Sequence, residues 1–101
     1  MPTFMIEREI PGASKLTDEE LRGITATSND AVEQLENPYS WCYSFVAGDK
    51  IYCVHQAESE DDVREHARLG GFPVTLVEEI TACFDRNGPR PLPSRELPVR
   101  A

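Results

Sequence analysis

The stretch YSWCYSFVAGDKIYCVHQ, Tyr39 to Gln56, decides the fold. Tyr39 to Val46 and Lys50 to Gln56 are rich in aromatic and β-branched residues, and Gly48-Asp49 between them forms a short turn able to adopt positive φ. Two such runs about such a turn predict a β-hairpin in the middle of the chain.

Outward from the hairpin, each flank carries a helix signal. Thr17-Asp-Glu-Glu20 has capping-box spacing, with a hydroxyl for the N3 amide and a glutamate reaching back. Leu21, Ile24, Ser28, Ala31, Val32 and Leu35 then recur at three- and four-residue intervals until Asn37-Pro38 ends the run. After the hairpin, Ser59-Glu-Asp-Asp62 repeats the cap pattern with acids in the first turn. Val63 and Ala67 give a short apolar stripe, and Gly70-Gly71 is a C-terminal stop.

At the two ends the period returns to two. Thr3 to Ile10 places Phe4, Ile6 and Ile10 on one side and Met5, Glu7 and Glu9 on the other, up to Pro11-Gly12. Val74 to Phe84 reads as a last strand, with Leu76, Ile80, Ala82 and Phe84 facing one way and Val77, Glu79, Thr81 and Cys83 the other. The order is βαββαβ. Right-handed crossovers make this a ferredoxin-like α+β sandwich, a four-stranded antiparallel sheet with the first and third strands central and both helices on one face. The other face is left bare, with Trp41, Tyr43, Met5 and Val77 expected on it among polar groups. An apolar patch of that kind needs a partner, so a homodimer, sheet on sheet in a dimeric α/β barrel, is expected.

The chain has 101 residues, enough for one core, and reads as a domain over residues 1–85 followed by a Pro/Arg-rich tail over 86–101. Residues 1–85 hold 17 acidic and 6 basic side chains, whereas the tail holds one acid and four arginines among Pro89, Pro91, Pro93 and Pro98. The tail is expected either as a disordered end or as a strip of arginines along the acidic body of its own or a partner subunit. A net charge of −8 argues against nucleic acid and an anionic membrane surface as partners, because both bind through an excess of Lys and Arg. No run approaches the roughly 20 apolar residues of a membrane span, and Glu7, Arg8 and Glu9 interrupt any signal-peptide core, so a cytoplasmic location is expected. Cys42, Cys53 and Cys83 are widely spaced without a CxxC, which fits buried reduced thiols rather than disulfides or a zinc ribbon.

Three strings, Ile6-Glu-Arg-Glu-Ile-Pro-Gly-Ala13, Asp49-Lys-Ile-Tyr-Cys-Val54 and Arg64-Glu-His-Ala-Arg-Leu-Gly-Gly-Phe-Pro73, together resemble the bacterial family called domain of unknown function 4242. The likeness covers about residues 1–85. It implies a ferredoxin-like, dimer-forming fold and, through the label common in that family, binding of nickel or another divalent metal.

The residues themselves offer two constellations. His66 follows Asp62 at i, i+4, a spacing that can put a carboxylate and an imidazole on one side of a helix; the plainer reading is a capped helix with a core-edge histidine. His55 shares a strand face with Cys53 and Ile51, and if that face is the bare one it meets Glu7 or Glu9; the plainer reading is a hydrogen-bonded strand-end histidine beside an inert thiol. Metal candidates are therefore His66, Asp62, His55, Glu7 and Glu9. With no nucleophile elbow, phosphate loop or dinucleotide fingerprint, most enzyme classes drop out. What remains beside metal binding is a small-molecule binder or cofactor-independent enzyme using Trp41, Tyr43, Cys53, His55 and Glu79 at a sheet-face pocket, or an interaction module.

Overall fold

The computed structural model describes residues 1–94. The strands and helices are β1 (Thr3–Glu9), α1 (Asp18–Gln34), β2 (Tyr39–Ala47), β3 (Lys50–Ala57), α2 (Glu60–Gly70), β4 (Leu76–Ile80), β5 (Cys83–Asp85) and β6 (Gly88–Arg90), with a 3-10 turn at Ala13–Lys15. Four strands form one antiparallel sheet in the order β2-β3-β1-β4, the ferredoxin-like arrangement. Both helices start as their caps dictate. Thr17 and Glu20 exchange side-chain and backbone bonds at the head of α1, and the Ser59 hydroxyl accepts from the Asp62 amide at the head of α2. Gly71 ends α2 in the left-handed conformation, φ 71°, with its amide on the Ala67 and Arg68 carbonyls.

Register assigns each sheet residue to a face. Phe4, Ile6 and Arg8 of β1 lie opposite His55, Cys53 and Ile51 of β3, and Ile6 lies opposite Val77 of β4. This face packs under the helices, where Phe4, Ile6, Ile51, Cys53, Val63 and Val77 form the buried core. Met5, Glu7 and Glu9, with Tyr52, Val54 and Leu76 opposite, point the other way.

Two expectations are corrected here. Trp41 lies opposite His55, but the next pair on that strand is Tyr43 with Val54, so Cys42 is an extra residue in a β-bulge. Trp41 thus faces the helices while Tyr43, two residues on, faces away. Val77, buried opposite Ile6, also belongs to the helix side; the bare face instead carries Met5, Tyr43, Phe45 and Leu76. The last strand, expected over Val74–Phe84, leaves the sheet after Ile80. Its partner there is Thr3; the neighbouring Pro2 lacks an N–H, and its carbonyl is taken by the Ala57 amide. With neither Pro2 group free for the ladder, Cys83–Asp85 pairs instead with Gly88–Arg90 in a separate hairpin. That hairpin crosses the position after Asp85 where the tail was expected to begin. Residues 95–101 of the tail, with Arg95, Pro98 and Arg100, lie outside the described residues.

Candidate functional site

Between α1 and the helix-facing side of the sheet lies a cavity of about 270 Å³. Its walls are mostly apolar, from Leu21 and Ile24 of α1, Val46 of β2 and Ile51 of β3. Into it reach Trp41, Cys53, His55, His66 and Arg8. The sheet supplies Arg8, Trp41, Cys53 and His55 because alternation and the bulge aim them inward; α2 supplies His66 from the stripe that also buries Val63 and Ala67.

The two imidazoles meet edge to face at a ring-centroid distance of 5.1 Å. His66 is stacked between Tyr39, 4.9 Å away, and Phe72, 5.9 Å away. Its Nε2 lies 3.1 Å from the Ser28 hydroxyl and 3.3 Å from the Ser28 carbonyl oxygen. In the tautomer with the proton on Nε2, the ring donates to that carbonyl, which can only accept. Burial, opposed in part by that bond and reinforced by the Arg8 charge, pushes the His66 pKa down to about 4, so the ring is neutral near pH 7. A neutral ring protonated at Nε2 presents Nδ1 as a bare lone pair, and among the described residues this buried nitrogen has no hydrogen-bond partner.

His55 is buried and is held well below the ordinary histidine pKa, first by burial and then by the fields of His66 and Arg8. Its Nδ1 is in a short hydrogen bond with the Tyr39 hydroxyl, whose own pKa burial raises, so the phenol keeps its proton. Nε2 is then the ring atom of His55 open to a ligand. Beside it the Trp41 indole N–H donates to the Ser44 hydroxyl at 3.0 Å, and that hydroxyl donates to the Cys53 sulfur at 3.0 Å.

Arg8 is the charged member of the set. It is 3% exposed, donates from Nη1 to the Pro73 carbonyl at 2.8 Å and rests over the Phe72 ring at 5.4 Å. Among the described residues no carboxylate is within ion-pair distance of it.

Of the candidates named from sequence, the fold gathers His55, His66, Trp41 and Cys53, and disperses the rest. Asp62 does not join His66: its carboxylate accepts from the Asn37 amide at 3.2 Å to each oxygen. Glu7 and Glu9 lie on the opposite sheet face from His55, Glu7 paired at 3.5 Å with Lys50. Tyr43 faces away, edge-on to Phe45, and Glu79 is exposed on the edge strand. Sequence reading passed over Arg8, Tyr39 and Phe72. The signal for Arg8 was present, since it occupies the inward position between Ile6 and Ile10 in the β1 alternation, where a charge is out of place.

The described residues of the chain do not fit nickel. Among the described residues no three His, Cys, Asp or Glu side chains are gathered as ligands, no carboxylate enters the cavity, and a guanidinium depresses protonation of both imidazoles and so opposes a dication as well.

Three comparisons bear on kinship. The family model described as nickel responsive protein SCO4226-like matches residues 4–80, and the chain belongs to that family. The fold is similar to the crystal structure of SCO4226 from Streptomyces coelicolor A3(2), at 22% identity and a TM-score of 0.64, over 77% of this chain and 94% of that one. No curated protein matches at a significant level.

Proposed function

We propose that this member of the SCO4226-like family is a small-ligand-binding protein that takes an organic anion into the cavity between α1 and the sheet. The buried Arg8 carries the reading. Arg8 has no ionic partner among the described residues; a charge taken out of water in that way costs several kcal/mol, and contact with Phe72 and one carbonyl offsets only part of that. A carboxylate entering the cavity supplies the missing partner, while the apolar walls take the rest of the ligand. The volume lies just below the roughly 300–1,000 Å³ of drug-sized sites, so the ligand is on the scale of one ring. Binding rather than catalysis is proposed, because His66 at about 4 is a weak base at neutral pH.

Trp41 is the sole tryptophan and lines the cavity, so its fluorescence reports occupancy. Benzoate titrated into the protein should change Trp41 emission saturably. At ten times Kd it should add about 1.4 kcal/mol of stability, a melting-point rise of several degrees. Arg8→Met should abolish both signals. If neither emission nor melting point responds up to millimolar benzoate, the proposal fails.

A second reading, nickel binding, is supported by the family description and by the buried Nδ1 of His66, unpartnered among the described residues and a nitrogen of the type nickel accepts. The three strings that resemble the domain of unknown function 4242 family also fall within the matched residues 4–80. The readings part at Arg8. Arg8→Gln weakens an anion but strengthens a dication, and calorimetry with nickel at pH 7.5 on both proteins distinguishes them, with the heat expected to vanish in His66→Ala if nickel is held there. The three free thiols suit the reducing cytoplasm proposed as the compartment.

A further inference from the structure

We infer that the ligand of this cavity carries a hydroxyl or N–H donor in addition to its anionic group, and that His66 selects for it through Nδ1. This rests on the anion reading above and deepens it to a ligand class, the small hydroxylated aromatic carboxylates.

The argument is one of unmet hydrogen-bonding capacity. The Ser28 carbonyl favours the His66 proton on Nε2, and the stacking of the ring against Tyr39 and Phe72 holds its plane, which keeps Nδ1 from turning away to find a donor. The neighbouring polar groups are already engaged: the Tyr39 hydroxyl with His55, the Ser44 hydroxyl with Cys53 and the Trp41 N–H with Ser44. Arg8 donates to Pro73. His66 is 1% exposed, and buried acceptors of this kind are rare in folded proteins because leaving one unmade is expensive. The ring also lines the cavity, which is where a missing donor can come from. A site built around such a group rejects analogues that lack the donor much more strongly than an apolar pocket rejects a change of shape.

The test uses the whole chain and four probes: benzoate and its 2-, 3- and 4-hydroxy derivatives, followed by Trp41 fluorescence. At least one hydroxybenzoate should bind about tenfold or more tighter than benzoate, and the preferred ring position reports where Nδ1 lies relative to Arg8. His66→Gln places an amide nitrogen where Nε2 stood but has no counterpart of Nδ1; in it the preference ratio should fall toward one. Independently of any variant, the Nδ1 resonance of His66 in a ¹⁵N-histidine spectrum should shift on adding the preferred hydroxybenzoate and stay in place with benzoate. If benzoate binds and no hydroxybenzoate binds better, this inference is overturned and the anion reading stands. If none of the four binds, both fall. A His66 resonance perturbed by nickel alone would overturn the inference in favour of a metal.

Discussion

At the scale of single residues, burial removes the charge from two histidines and leaves a guanidinium charged beside them, and this makes stability depend on pH. An unfolded histidine titrates near 6.5, whereas His66 in the fold titrates at about 4, next to Tyr39, His55 and Arg8. Between these values the unfolded chain binds more protons than the native one, so stability rises with pH across that window and is flat above it. From pH 7.5 to 5.0 the loss from His66 alone is on the order of 2 kcal/mol, and His55 acts in the same direction. The urea midpoint should therefore fall on acidification, less so in His66→Gln; an unchanged midpoint at pH 5.0 would mean the rings are not buried neutral. Sequence spacing showed that both histidines fall near core stripes, but not that one points at the other. A helix and a strand distant in sequence meet there through tertiary packing, which no local period encodes. Asp62 misled for a related reason: i, i+4 spacing allows a shared side, yet Asn37 offered its carboxylate a partner nearer the surface.

At the scale of elements, the helices were legible because their caps and stripes are local, and the central hairpin because its turn is. The faces of β2 were not. Tyr39, Trp41 and Tyr43 follow a simple alternation in sequence, and only the extra Cys42 separates Trp41 from Tyr43 onto opposite faces. A bulge has no residue signature here, since Cys42 is neither Gly nor Asn. It makes an unusual prediction. Deleting Cys42 restores regular pairing while leaving Trp41 facing the cavity and Tyr43 facing away, so the deletion protein should fold with Trp41 emission at the parent wavelength, at a cost of about 1 kcal/mol or a few degrees in melting point. Deleting Tyr43 instead leaves its bare-face position to Cys42 or shifts the rest of β2 by one, which turns Ser44 and Val46 outward; that protein should be much less stable. Equal damage from the two deletions would contradict the bulge assignment.

At the scale of the whole molecule, the sheet has one face under helices and one without them, and the bare face is apolar at Met5, Phe45 and Leu76. Phe84, on the β5–β6 hairpin, is 79% exposed, which is costly for an ordered phenyl ring without a partner. The same hairpin carries Arg86 and Arg90, the latter paired with Asp85 at 3.2 Å, while the sheet face is acidic, with Glu7, Glu9 and Glu78 on the strand residues that point outward. A second copy meets both needs at once: related by a two-fold axis, each protomer offers its arginine-bearing hairpin to the other's acidic face and covers apolar residues with apolar residues. We propose that the chain is a homodimer through this face, with the ligand cavity on the far side of each sheet. Sedimentation at about ten micromolar should then give twice the mass of 11.3 kDa. Phe45→Asp should shift the protein toward monomer, because the new carboxylate joins an already acidic patch, while Phe84→Ser should weaken the dimer without adding charge. Raised salt should weaken the arginine–acid contribution and leave the apolar one, so the parent should remain dimeric at 0.5 M salt but Phe84→Ser should not. A monomeric parent at both ionic strengths would leave Phe84 and the bare face without the partner proposed for them.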